Sequence, residues 1–160
     1  AEAFRQRESG LIKFSDELIL RHQDREYGSG PLCYTRAGTS WPIQKLVELM
    51  IQESDNTATQ MLINHLGINN LNRSIKKWGM LQTKIGTSNL LEADDINVST
   101  AHDTNLLLTK IATGQIISSK ACEDMIRILV EEIERLEGAD ALVKLWTSSQ
   151  WFKDAMEKKL

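Results

Sequence analysis

Three consecutive polar residues, Ser54, Asp55 and Asn56, separate two apolar stretches of the chain. A serine hydroxyl can pass on a proton, an asparagine amide can donate a hydrogen bond to a carbonyl group, and a carboxylate can accept bonds from backbone amides. These residue types could therefore form one wall of a catalytic site. They are also the preferred N-cap residues of helices, so the triplet alone more often marks the start of a helix.

Helices are predicted on both sides of the triplet, because apolar residues recur there at helical spacing. Five helices are predicted to begin near Ser40 or Trp41, near Asp55 or Asn56, near Asn70, after Thr100, and near Ser118 or Ser119. Their predicted C-terminal limits are Glu53, Leu66, Trp78, Gly114 and Gly138. Pro42 is placed in the first turn of the first of these helices, a position that proline tolerates.

The two ends of the chain also read as helical. Residues 1–9 are predicted to be the last part of a helix closed by Gly10, and residues 139–160 to be a helix interrupted at 147–149. No alternating strand pattern is found after residue 20. The fold class predicted is therefore all-α, a compact domain of about seven helices.

Composition bounds the kind of protein. The 160 residues are 41% hydrophobic and 26% charged, which is typical of one soluble globular domain. A net charge of −3 argues against nucleic acid as a partner, and no apolar run approaches the ~20 residues of a membrane span. Three histidines without cluster spacing predict no metal, and no cofactor is predicted. Cys33 and Cys122 are predicted to be buried free thiols, with one disulfide as the alternative.

The context of the triplet resembles the helical domain of class A serine β-lactamases and their penicillin-binding relatives. In that family an apolar helix leads to S-D-N, then to T-A-x-x-M-L/L-I and a glycine. The corresponding residues here are Ser54-Asp55-Asn56, Thr57-Ala58, Met61-Leu62-Ile63 and Gly67. The segment "NVSTAHDTNLLLTKIATGQIISSKACEDMIRIL" resembles the next two helices of that family, and "FRQRESGLIKFSDELIL" resembles the segment after its nucleophile helix.

The resemblance implies an incomplete catalytic site. The chemistry of the family rests on S-x-x-K, S-D-N and K-T-G. By the family's order, S-x-x-K is expected about ten residues before Phe4, and K-T-G near 150–158, where the chain reads "QWFKDAMEK". The resemblance therefore implies a truncated helical domain without hydrolase activity alone, in which Ser54 and Asn56 are vestigial catalytic residues and Asp55 is a structural residue. As it stands, the chain is then not expected to be an enzyme.

Two further candidates are weaker. Ser74-Ile75-Lys76-Lys77 matches S-x-x-K literally but follows S-D-N, so it is interpreted as a solvated helix face. A loop of residues 80–98 without clear periodicity is long enough to be functional. Its Glu92 could occupy the place of the family's deacylating glutamate, although a solvated loop acid is the simpler interpretation.

The resemblance covers residues 3–130, which gives a β-lactamase-like helical domain over 1–130 and a helical tail over 131–160. The tail matches nothing in the family, and we expect it to pack on the domain, with an engineered origin possible. Its apolar residues are Leu142, Leu145, Trp146, Trp151 and Phe152. Without such a cover, the face that the family's α/β domain occupies would be an aggregation hazard, and self-association through it is a further expectation.

Other functions remain open at this point. One is an engineered helical scaffold or a binding module for a β-lactam-like or apolar small molecule, with Trp41, Trp78, Trp146 and Trp151 as aromatic residues. Another is an active hydrolase or designed enzyme with a rebuilt site that uses a perturbed Lys144 or Lys153. The compartment stays unassigned: the resembled family is typically exported, whereas "AEAFRQRESG" lacks both a starting Met and the apolar core of a signal peptide.

Overall fold

A computed structural model of the chain describes residues 1–86 and 97–135, with side chains as far as residue 131. These residues form six α-helices and one two-stranded antiparallel sheet. In chain order the elements are α1 (Glu2–Glu8), β1 (Glu17–Ile19), β2 (Ser40–Pro42), α2 (Ile43–Gln52), α3 (Asn56–Leu66), α4 (Ile68–Lys77), α5 (Ala101–Ala112) and α6 (Ser119–Arg135).

The core lies between α2, α3 and α6, with α1 and α5 packed at its sides. Helices α2, α3 and α6 each bury several apolar residues at helical spacing, as the sequence predicts, whereas α1 buries Ala3 and Phe4 and α5 buries Ile111. The fully or almost fully buried ones include Phe4, Ile43, Leu46, Ala58, Leu62, Ala121, Cys122 and Met125. Fully burying a leucine such as Leu46 contributes roughly 1.5–3 kcal/mol, so the face of α2 is a main source of stability. Cys33 and Cys122 are both buried and free, as predicted.

The prediction of an all-α domain is correct for the helical content but wrong in omitting a sheet. In β1 and β2, Glu17 pairs with Pro42, Leu18 with Trp41, and Ile19 with Ser40. Strands of three residues are too short to show a period-two pattern. Pro42 was placed inside a helix, yet it ends β2 with extended backbone angles (φ −60°, ψ 142°) and is the N-cap of α2.

Helix boundaries agree best where a local cap fixes them. The helix predicted from Asp55 or Asn56 to Leu66, with Gly67 closing it, is α3. The Thr100 hydroxyl accepts a hydrogen bond from the backbone nitrogen of Asp103, as its position before α5 predicts. In contrast, α4 begins two residues earlier than predicted, directly after Gly67. The φ of Gly67 is +82°, which lets the chain turn into α4 without a loop.

Several predicted features lie outside the described residues. These are the loop acid Glu92, the C-terminal helix over 139–160, the lysines Lys144 and Lys153, and the aromatic residues Trp146 and Trp151. The other two tryptophans belong to the body of the protein: Trp78 is buried in the core and Trp41 packs half-buried against it. None of the helices within 1–86 and 97–135 combines the length and the apolar character needed to cross a membrane.

Candidate active-site wall at the Ser54–Asn56 junction

The triplet forms the junction between α2 and α3. At the end of α2, the carbonyl of Leu49 accepts hydrogen bonds from the backbone nitrogens of both Glu53 (3.0 Å) and Asp55 (3.1 Å). Between them, Ser54 has a φ of +50°. Among the described residues it is the only non-glycine residue with a positive φ. This left-handed conformation costs a serine on the order of 1 kcal/mol, so the surrounding contacts must hold it in place.

Asp55 supplies the strongest of those contacts. Its side chain is 0% exposed, and its Oδ1 accepts a hydrogen bond of 2.8 Å from the backbone nitrogen of Ala58 in the first turn of α3. Its Oδ2 accepts a second bond of 2.8 Å from the backbone nitrogen of Leu32. A carboxylate at a helix N-terminus is favoured by the helix dipole. One buried carboxylate therefore caps α3 and fixes a distant segment of chain against it.

That segment, residues 25–35, is here called the strap. Thr57 lies in the first turn of α3, and its hydroxyl accepts a bond from the backbone nitrogen of Glu26 and donates one to the carbonyl of Glu26, both at 3.0 Å. The backbone nitrogen of Asn56 donates to the carbonyl of Ser29 (3.2 Å). The first turn of α3 is thus joined to backbone groups of the strap by these three hydrogen bonds.

Gly30 makes the close approach between strap and triplet possible. A Cβ atom on Gly30 would lie only 2.2 Å from Oδ2 of Asp55 and 2.4 Å from its Cα, far inside any real contact. The φ of Gly30 is +83°, which side chains rarely adopt. Glycine is therefore required here both by its backbone angle and by the buried carboxylate packed against it.

The exposed groups of the junction are those of Ser54 and Asn56. Ser54 is exposed, and its hydroxyl has no hydrogen-bond partner among the described residues. The half-buried Asn56 donates one amide N–H from Nδ2 to the carbonyl of Tyr27 (2.9 Å), which leaves the second N–H of that amide. The wall thus presents a hydroxyl and an amide donor to solvent, and the buried Asp55 lies between the two residues that carry them.

The strap carries two exposed tyrosines. Tyr27 and Tyr34, both on the strap, have ring centroids 6.3 Å apart in an edge-to-face arrangement. The backbone carbonyl of Tyr27 is the acceptor of the Asn56 amide bond, which places the backbone of Tyr27 beside the wall. The strap was not identified from the sequence as part of the site. Its pairing with Thr57 was missed, because a threonine in a first helical turn gives no sign of a partner 31 residues away.

The S-x-x-K sequence at Ser74 was predicted to be a solvated helix face, and this prediction is wrong for its serine. Lys76 and Lys77 are exposed, whereas Ser74 is 5% exposed and its hydroxyl donates to Oε2 of Glu2 at 2.6 Å. The prediction failed because the partner is 72 residues distant in sequence. A serine bound to a buried carboxylate has its hydroxyl proton engaged in that hydrogen bond.

Glu2 is the acceptor at the centre of this buried cluster. Its two carboxylate oxygens also accept hydrogen bonds from Nε and Nη2 of Arg5 (2.8 and 2.7 Å) and from Nε2 of Gln6 (2.8 Å). Burial alone would raise the pKa of Glu2, but the hydrogen bonds from Arg5, Ser74 and Gln6 outweigh it and hold the pKa below its ordinary value of 4.5. The cluster ties α1 to α4 as an ionised group.

No set of three or more His, Cys, Asp or Glu side chains within the described ranges is placed to hold a metal ion. The groups that the wall exposes are the hydroxyl of Ser54, the amide of Asn56 and the backbone around them. These are groups that bind and orient a substrate, and the hydroxyl can also pass on a proton.

The helix-rich fold of the described residues is the fold of one class of protein, the β-lactamases. The chain matches the model of the β-lactamase enzyme family over residues 1–151, and it therefore belongs to that family. The resemblance to class A β-lactamases that the sequence indicated is thereby confirmed. No curated protein sequence matches the chain.

Solved structures of the same fold agree with this assignment. A β-lactamase from Sphaerobacter thermophilus superposes with a TM-score of 0.75 at 30% identity, over 80% of this chain and 50% of that one. PBP-A gives a TM-score of 0.74 at 29% identity, over 79% and 48% respectively. A β-lactamase from Francisella tularensis, at 23% identity and a TM-score of 0.67 over 84% and 52%, supports the fold alone. The chain thus spans about half the length of the structures that it matches.

Proposed function

We propose that the Ser54–Asn56 junction and its strap form the substrate-positioning wall of a β-lactam-recognising serine hydrolase site. We further propose that these 160 residues by themselves do not hydrolyse β-lactams. Membership of the β-lactamase family supports the substrate class. A variant of PBP-A, a protein similar to this chain, was solved as an acyl-enzyme complex with penicillin G, which supports it further.

The observation that carries the proposal is the buried Asp55, because it fixes Ser54 and Asn56 without itself reaching solvent. In this role the second amide N–H of Asn56 donates to a carbonyl oxygen of the substrate. The Ser54 hydroxyl relays a proton towards the nitrogen that leaves when the acyl bond breaks. Asn56 is held by the strap in advance of binding, and the backbone of Ser54 is fixed between Glu53 and the buried Asp55, so little ordering is needed when substrate arrives.

The proposed lack of turnover concerns these 160 residues alone and rests on the motifs within them. Acyl transfer of this kind needs a serine with a base beside it to attack the acyl carbon. The S-x-x-K sequence that the chain does contain has its serine buried against Glu2, and K-T-G occurs nowhere in the 160 residues. Ser54 and Asn56 then retain a binding geometry but have no nucleophile to serve.

A chromogenic cephalosporin tests the first half of the proposal. We expect the 160-residue chain to hydrolyse it no faster than buffer does, and Ser54→Ala to change nothing. Turnover above the buffer rate that Ser54→Ala removes would overturn the proposed inactivity and place a working site in this chain.

Amide chemical shifts test the positioning role. On titration with penicillin G, we expect shifts in the backbone amides of Ser54, Asn56 and the strap, and we expect Asn56→Ala to abolish them. Asn105→Ala, at an exposed position of α5, is the matched control and should leave the shifts intact. Shifts that are absent, or that survive Asn56→Ala unchanged, would contradict the positioning role.

A further inference from the structure

An open apolar groove runs between α1, α2, α5 and α6. Its volume is about 180 Å³, and every residue that lines it is apolar. The lining includes Met50, Ile51, Leu108, Met125, Ile128 and Leu129. Leu108 stays 37% exposed at its edge. Exposing apolar surface of this kind to water is unfavourable, so an apolar group that covers the groove would be stabilised there.

We propose that the occupant is the C-terminal segment of the same chain, residues 142–152, folded back along α6. The proposal concerns a different face from the Ser54–Asn56 wall and does not depend on the proposed function. It rests on where α6 leads, on the spacing of apolar residues after it, and on the size of the groove.

The path of the chain brings the segment to the groove. Helix α6 lines the groove through Met125, Ile128 and Leu129 and continues to Arg135, after which 25 residues remain. From Leu129 to Arg135 the helix rises about 9 Å. The seven residues from Arg135 to Leu142 can span about 23 Å when extended, more than twice that distance. The chain can therefore reverse after α6 and return to the level of Leu129 without strain.

The sequence of the segment supplies the matching apolar surface. Leu142, Leu145 and Trp146 are spaced i, i+3, i+4, which is the stripe of one helical face. Gly138 stands where a helix commonly ends, so a short connection between antiparallel helices fits here. After the polar residues 147–149, Trp151 and Phe152 offer two more aromatic rings.

The size of the groove suits an aromatic side chain. An apolar cavity of roughly 150 Å³ holds a benzene-sized ring, so the 180 Å³ of this groove accommodate the ring of one large residue. In an antiparallel return along α6 after a turn at Gly138, Trp146 comes level with about residue 130, next to Leu129. Trp146 is thus the residue that we place in the groove.

Tryptic cleavage after Lys144 tests the proposal on the intact chain. Lys144 lies between Leu142 and Leu145, so a docked segment protects it, because a protease cuts only the opened form. We expect Leu108→Asp, which puts a charge at the edge of the groove, to speed cleavage after Lys144 by about tenfold. Asn105→Asp adds the same charge one turn away on an exposed position of α5 and should not change the rate.

A second variant covers the possibility that Leu108→Asp unfolds the body. Leu145→Asp changes only the segment and should speed cleavage after Lys153 to a similar extent, while circular dichroism shows the helices intact. Equal and rapid cleavage in the parent and both variants would overturn the proposal. So would protection that grows with protein concentration together with a doubled mass in light scattering, since a second copy of the chain would then fill the groove. Protection that requires an added apolar small molecule would also overturn it.

Discussion

The carboxylate of Asp55 joins two backbone nitrogens, those of Leu32 and Ala58, that are 26 residues apart in sequence, with each hydrogen bond 2.8 Å long. The first nitrogen belongs to the strap and the second to the first turn of α3. Because the carboxylate is completely buried, neither nitrogen has water to replace it. The exposed ends of the wall, Ser54 and Asn56, depend on this internal connection.

Asp55→Ala should therefore destabilise the protein strongly. It removes a helix cap and leaves two buried N–H groups unpaired, which together cost about 2–4 kcal/mol. Urea unfolding followed by circular dichroism measures the loss. The matched control is Asn105→Ala on the surface of α5, which should cost less than about 0.5 kcal/mol. Equal midpoints for the two variants would show that Asp55 does not hold the junction.

Gly30→Ala should disrupt the same junction from the opposite side. The added Cβ would overlap Oδ2 of Asp55 at 2.2 Å, and the backbone angle of +83° adds strain. Gly38→Ala is the control, because its φ is +90° but nothing lies within 4 Å of the added Cβ. We expect about 1 kcal/mol for Gly38→Ala from the backbone alone and at least twice that for Gly30→Ala. Thermal unfolding of both variants measures these losses. The difference between them is the cost of the contact with Asp55, because both variants carry the backbone strain.

Thr57→Val should weaken the attachment of the strap while preserving side-chain shape. It removes both hydrogen bonds to Glu26, whose backbone N–H and carbonyl lose their partner in a buried place. A loss of about 1–3 kcal/mol in unfolding free energy is expected. Thr59→Val removes a hydroxyl that bonds only to the Asp55 carbonyl one turn earlier in the same helix, so it should cost much less. The reverse order of effects would contradict the pairing of Thr57 with the strap.

Glu2→Gln should change the pH dependence of stability. Since the folded-state pKa of Glu2 lies below its ordinary value of 4.5, the ionised carboxylate gives its full contribution above that pH. The contribution is lost as the pH falls through the lowered pKa. Glu2→Gln should therefore be less stable than the parent at neutral pH, and the difference should shrink on acidification. Ser74→Ala, which removes one of the stabilising hydrogen bonds, should show a smaller effect of the same sign.

Urea midpoints measured between about pH 7 and pH 3 give this dependence. The pKa of Asp124 is also lowered: its burial acts to raise it, but hydrogen bonds from Lys120 and Arg7 outweigh that effect. Some acid sensitivity should therefore remain in Glu2→Gln. A difference between Glu2→Gln and the parent that is the same at every pH would rule out the ionised cluster.

The sequence predicted helix limits correctly where residues close in sequence determine them. The limits of α3 were predictable because Asp55 caps its start and Gly67 ends it, both by contacts within a few residues. The sheet was not predictable, since β1 and β2 have three residues each and pair across a long connection. The burial of Ser74 had no local sign either, because it depends on Glu2, which is 72 residues away in sequence.

The same distinction holds for the candidate site. Ser54, Asp55 and Asn56 could be picked out by residue type and by the order of apolar residues around them. What holds them could not, because the strap reaches α3 through backbone groups of Glu26, Tyr27 and Ser29, and backbone groups are the same in every sequence. Gly30 is required by its positive φ and by the carboxylate of Asp55 beside it, and neither of these is visible in the sequence.

The shared carboxylate of Asp55 also has a consequence for motion. Leu32 and Ala58 cannot separate from it independently without leaving a buried charge half satisfied, so the strap and the first turn of α3 should open as one cooperative unit. In native-state hydrogen exchange, the amide protons of Leu32 and Ala58 should then share one opening free energy and one denaturant sensitivity. The wall would thus be either fully assembled or fully open, with no partly formed state between.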